Sequence, residues 1–111
     1  MKFSKVFPLL IAKAERKGRS IEEVYAVTTW LTGYTSDELD ALLKSESSYG
    51  DFLDRAPAMN PARLNVKGSI CGVRVEEIDD PRMRDLRILD KLVDELAKGK
   101  PLDKILNKYR G

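Results

Sequence analysis

The chain predicts a small all-α fold, an orthogonal arrangement of five to six short helices. Three observations carry that prediction. Apolar residues recur at helical spacing along most of the chain, two capping boxes mark helix starts, and only one short segment alternates as a strand would. At 111 residues, with 42% hydrophobic and 34% charged side chains, residues 1–111 are expected to form a single domain around one core.

The first helix is expected from Ser4 to Arg16. The residues Phe3, Val6, Phe7, Leu10 and Ala14 share one of its faces, and Lys17-Gly18 ends it. Pro8 lies close enough to the start to be tolerated. Ser20 and Glu23 form a capping box for a second helix that runs to Thr32, with Ile21, Val24, Val27, Thr28 and Leu31 inward and Gly33 as its stop. Thr35 and Glu38 repeat the box ahead of a short helix that buries Leu39, Leu42 and Leu43. Ser47 to Arg55 gives a fourth, with Tyr49, Phe52 and Leu53 on the core, before Pro57 breaks it.

Asn60-Pro61 is another start signal, a polar cap followed by a residue with no amide to leave unpaired. Residues 68–78 read two ways. Leu64, Cys71, Val75 and Ile78 suit a helical face, whereas Val73 and Val75 alternate with polar neighbours. Helix is preferred because no other segment offers a strand partner, and Gly68 and Gly72, four apart, would let two helices approach closely.

The Pro81–Lys98 helix is expected to centre the core. Asp80 caps it, Pro81 opens it, and Met83, Leu86, Leu89, Val93 and Leu96 form a stripe that Ile88 and Leu92 widen. Asp94–Lys98 and Lys91–Glu95 are spaced for exposed ion pairs. Pro101 opens a last helix, with Leu102, Ile105, Leu106 and Tyr109 as its stripe.

Composition excludes more than it assigns. Without histidine there is no Ser-His-Asp or Cys-His machinery and no His-containing zinc site. Cys71 is the only cysteine and is read as a small buried packer. Asp79-Asp80 and Glu76-Glu77 fit a cap and a solvated face better than a magnesium or calcium site. No catalytic residue, cofactor or metal is expected. The opening MKFSKVFPLLIAKAERKG has a basic start and an apolar run, but the run is brief, holds Pro8 and lacks a cleavage site. A cytoplasmic protein with no membrane partner is expected.

Three segments carry a resemblance: WLTGY from Trp30 to Tyr34, Asn60-Pro61, and KGSICGVRVEEIDDP followed by LDKLVDELAKGK. They resemble the bacterial domain-of-unknown-function family 2200, small single-domain proteins, over nearly the whole chain. The resemblance implies a small bacterial cytosolic protein and brings no catalytic or ligand residue with it. Arg82 stands where the family pattern has an apolar residue.

The leading functional expectation is a protein-interaction module or homo-oligomer. Its partner-binding candidates are Trp30 and Tyr34, which flank Gly33 as either core lids or interface anchors, together with Arg74, Arg84 and Arg87. Nucleic-acid binding is possible but disfavoured. A helix-turn-helix outline spans Ser20 to Lys44, yet its second helix carries Asp37, Glu38 and Asp40 against Lys44, and a net charge of +2 is slight. Basic residues cluster instead at Lys13, Arg16, Lys17 and Arg19, and at Arg82, Arg84 and Arg87. An enzyme built on Arg74, Glu76, Glu77, Asp90 and Cys71 ranks last, because Arg74 and Glu77 are more simply an intrahelical ion pair.

Overall fold

The computed structural model of the chain describes residues 1–70 and 72–109. Six α-helices account for most of them: α1 (Phe3–Glu15), α2 (Ile21–Thr32), α3 (Ser36–Leu43), α4 (Tyr49–Asp54), α5 (Pro81–Ala97) and α6 (Leu102–Tyr109). Both capping boxes form as their spacing predicts, with Ser20 and Thr35 accepting from the amides of Glu23 and Glu38. Asp80 accepts from the amides of Arg82 and Met83 at the start of α5. Asn60 also caps, but the element it opens is a short 3₁₀ helix, Pro61–Asn65.

Residues 68–78 correct the helical expectation. They form a hairpin of two short strands, β1 (Ser69–Ile70) with β2 (Val73–Arg74), and then a 3₁₀ turn at Val75–Glu77. The segment needs no distant strand because its own two ends pair, Ser69 opposite Arg74 and Ile70 opposite Val73. Gly68 and Gly72 have φ of 114° and 78°, which a right-handed helix cannot contain. They serve the turn, and no helix closes on Gly72. The reading of Cys71 as a buried packer lies outside the described residues.

The core gathers around α5, which touches α1, α2, α4, α6 and β1. Ile88, Leu89, Leu92, Val93 and Leu96 are fully buried on it. Met83 is not part of that stripe and is 45% exposed. It lies seven residues before Asp90 and so shares that residue's side of the helix. Aromatic rings fill the space between α1 and α4: Phe3 stacks on Phe7 at 4.8 Å and meets Phe52 at 4.5 Å. The N-terminal strand-like residue Lys2 bridges to Ser48, which pins the start of α1 beside the start of α4.

Two polar devices fix the outer helices on this core. Arg19, in the loop before α2, donates to the carbonyls of Leu96 at 3.2 Å and Lys100 at 2.8 Å, and pairs with Glu23. It therefore ties the start of α2 to the end of α5. The hydrogen bond from Arg19, then that from the Ser20 amide, holds the Glu23 carboxyl down at about 2. The second device is Glu95, which is buried and not in the exposed pair that its spacing from Lys91 suggests. Its Oε1 accepts from the Tyr109 hydroxyl at 2.5 Å, with Lys108 at 3.5 Å and Lys100 at 3.7 Å. Lys91 instead donates to the Ser69 carbonyl at 3.3 Å, holding the hairpin against α5. The other predicted pair, Asp94–Lys98, forms at 3.0 Å.

Replacing Leu89 with Ala should destabilise the fold by roughly 2–5 kcal/mol in chemical denaturation, because the deletion leaves a cavity at the centre of the packed elements. A negligible shift of the midpoint would contradict the burial described. The Arg19–Glu23 pair makes a separate prediction. Because the folded carboxyl lies below its ordinary value, its contribution is complete above about pH 4.5 and is lost as the pH falls toward about 2. The stability difference between the native chain and Glu23→Gln should therefore shrink across that window in thermal melts. A pH-independent difference would show that Glu23 acts through packing alone.

Candidate functional site

The second helix, IEEVYAVTTWLT, is apolar on two sides. Val24, Val27, Thr28 and Leu31 are buried against the core, as their spacing predicts. The opposite side carries Tyr25, Ala26, Thr29 and Trp30, all half-buried, and Ile21, which is 38% exposed rather than inward. One apolar face suffices to dock a surface helix, and this second one is only partly taken up by the fold.

That second side forms one wall of an open groove of about 670 Å³, and α3 forms the other. Ile21, Tyr25, Ala26, Thr29 and Trp30 supply the floor and near wall. Glu22 on one side and Ser36 and Asp40 on the other supply the polar rim. The Tyr25 hydroxyl donates to Asp40 Oδ1 at 2.6 Å, so a single hydrogen bond joins the two walls. Burial, then the carboxylate of Asp40, pushes the Tyr25 phenol up to about 12, so it stays protonated and keeps donating at any physiological pH. Its ring packs on Phe7 at 5.6 Å, which seats the groove directly on the core. Asp37, Glu38 and Asp40 are exposed along α3 and make this side of the molecule acidic.

The other sequence candidates disperse. Trp30 lines the groove, but Tyr34 does not. Tyr34 is buried, stacks on Phe52 at 5.3 Å and donates to the Phe52 carbonyl at 2.8 Å, so its ring is used by the core. Arg74 lies exposed on β2 with Glu77 at 4.0 Å. Arg87 sits 3.5 Å from Asp90, and Arg84 reaches the Leu64 carbonyl at 3.4 Å. None of these arginines lines the groove. Glu76 is occupied differently again, accepting from the Gly68 amide at 3.2 Å. Of the residues considered for enzymatic chemistry, Arg74, Glu76, Glu77 and Asp90 are thus spread over β2, a 3₁₀ turn and α5, each with a local partner, and Cys71 lies outside the described residues.

The basic clusters are similarly engaged. Lys13 shares Asp94 with Lys98 at 3.3 Å, Arg19 is taken up by carbonyls and Glu23, and Arg82 pairs with Asp54. Arg16 and Lys17 line a second groove beside Asp94, of about 640 Å³, where α1 and α5 end together. Cations there complement the negative ends of two helices, and the Arg16 Nε donates to the Ala12 carbonyl at 3.3 Å. The acidic face of α3 would repel a phosphate backbone. Among the described residues, no three acidic side chains gather as metal ligands would, and no helix is long and apolar enough to cross a membrane.

Sequence reasoning singled out Trp30 and missed Ile21, Tyr25, Ala26 and Asp40. The signal was present in α2: apart from its two glutamates, every position is apolar or threonine, too many for one buried face.

Comparison with known proteins agrees with this geometry at the level of fold. The crystal structure of uncharacterized protein SP1917 is similar to this chain, with 53% sequence identity and a TM-score of 0.96, covering 100% of this chain and 91% of that one. No curated protein matches. The family described as "Uncharacterized protein conserved in bacteria (DUF2200)" matches residues 1–107, and the chain belongs to that family.

Proposed function

We propose that this chain is a non-catalytic protein-interaction module of the bacterial cytoplasm, which docks a protein segment in the groove between α2 and α3. The observation that carries the reading is the two-sided apolar character of α2, one side of which the rest of the fold covers only in part. A half-buried tryptophan on an open apolar floor is the kind of anchor on which interfaces concentrate their binding energy. The surrounding arrangement supports docking rather than chemistry. The groove has apolar walls, and its Tyr25 hydroxyl is committed to the Asp40 carboxylate, which suits it to covering an apolar segment.

The test uses the full chain as bait in bacterial lysate beside an Ala26→Arg variant, whose longer side chain fills the groove. A captured protein, once purified, should bind the native chain and lose the variant. It should also shift the emission of Trp30, the only tryptophan present. Trp30→Ala should weaken that binding by roughly 2 kcal/mol or more, about thirtyfold. Capture that ignores both substitutions, or binding that leaves the Trp30 emission unmoved, would contradict docking in this groove.

A further inference from the structure

We infer that the occupant of the groove is a second copy of this chain, presenting the outer face of α1. The inference rests on the docking reading and names its partner.

The outer face of α1 is a basic stripe around one leucine. Lys5, Leu9 and Arg16 are spaced at intervals of four and seven, which puts them on one side of the helix, away from the buried Phe3, Phe7, Leu10 and Ala14. Leu9 is 64% exposed, more than any other large apolar side chain except Met1. Among the described residues, Lys5 and Arg16 have no carboxylate within ion-pair distance. The groove is the inverse: an apolar floor whose acids Glu22 and Asp40, with Asp37 beyond them, likewise lack a cationic partner among the described residues.

One molecule therefore leaves unmatched both an acid-rimmed apolar groove and a base-flanked leucine. The lengths agree as well. Lys5 to Arg16 spans about 16 Å of helix and Ile21 to Trp30 about 14 Å, at the usual rise per residue. With Leu9 seated beside Ala26, Lys5 would lie one helical turn away, the same spacing that separates Glu22 from Ala26 on the groove. Opposed charges of this kind set orientation and encounter rate and are weakened by salt.

The two patches sit on different helices, so the contact is head-to-tail. Each added copy leaves one groove and one stripe free, and association continues beyond a pair unless the rotation closes a ring.

Sedimentation of the full chain, 12.6 kDa, tests this directly. The average mass should rise above the monomer with concentration and fall back in high salt. Ala26→Arg, which fills the groove, and Leu9→Glu, which places an acid in the stripe, should each remain monomeric. Mixed in equal amounts they should form a dimer and nothing larger, because one intact stripe meets one intact groove. If either variant loses its helical circular dichroism, the exposed charge reversals Glu22→Lys with Asp37→Lys, and Lys5→Glu with Arg16→Glu, replace the pair.

A native chain that stays monomeric into the millimolar range overturns the inference, as do association indifferent to both substitutions and a mixture that fails to pair. A monomeric native chain whose lysate capture is still lost in Ala26→Arg removes only the second copy as occupant. Loss of both results removes the docking reading with it.

Discussion

Burial of the α5 stripe is the constraint on which the rest of the molecule depends. Ile88, Leu89, Leu92, Val93 and Leu96 cannot be covered by a single neighbour, so α1, α2, α4, α6 and the hairpin close around them. At roughly 1.5–3 kcal/mol for each fully buried aliphatic side chain, these residues are a large share of what holds a domain of this size together. Their burial also decides which polar groups must enter. Glu95 falls between Leu92 and Leu96 and is carried inside with them, where Tyr109 and the ammonium groups of Lys100 and Lys108 compensate it. That same contact draws α6 onto the end of α5.

The placement of α2 follows from this packing, and so does its exposed side. Arg19 clamps the start of α2 to the carbonyls at the end of α5, and Val24, Val27 and Leu31 seal one face. Nothing in the fold requires the opposite face to be apolar, yet it carries Ile21, Tyr25, Ala26 and Trp30. Because Tyr25 joins α2 to α3 through Asp40 and packs on Phe7, the groove is held by the core and not by mobile loops. A groove held in this way is preorganised, which would limit the entropy lost if a segment docked there.

Much of this fold was legible in the sequence where local chemistry and packing point the same way. Ser20 with Glu23, Thr35 with Glu38, and Asp80 with Pro81 each mark a helix start found within a residue of its expected place. The segment 68–78 was misread because its glycines have positive φ, a property of backbone geometry that spacing does not reveal. Glu95 was misread because its position relative to Lys91 says nothing about the hydroxyl of Tyr109, fourteen residues away. The groove was partly legible. Trp30 was singled out, but its companions were hidden by assigning every apolar residue of α2 to the core. The arginines at 74, 84 and 87 show the converse, since each is taken up by a partner of its own and none lines the groove.

The central claim, an apolar groove with an acidic rim around Trp30, is tested most directly by ionic quenching of tryptophan fluorescence. With one tryptophan in the chain, the whole signal reports on this site. Carboxylates at Glu22 and Asp40 concentrate cations and repel anions locally. Taken relative to each ion's quenching of free N-acetyltryptophanamide, caesium should therefore quench Trp30 more effectively than iodide at matched ionic strength, with the difference narrowing as inert salt is added. Equal quenching by the two ions on that relative scale, or stronger relative quenching by iodide, would contradict the groove as described.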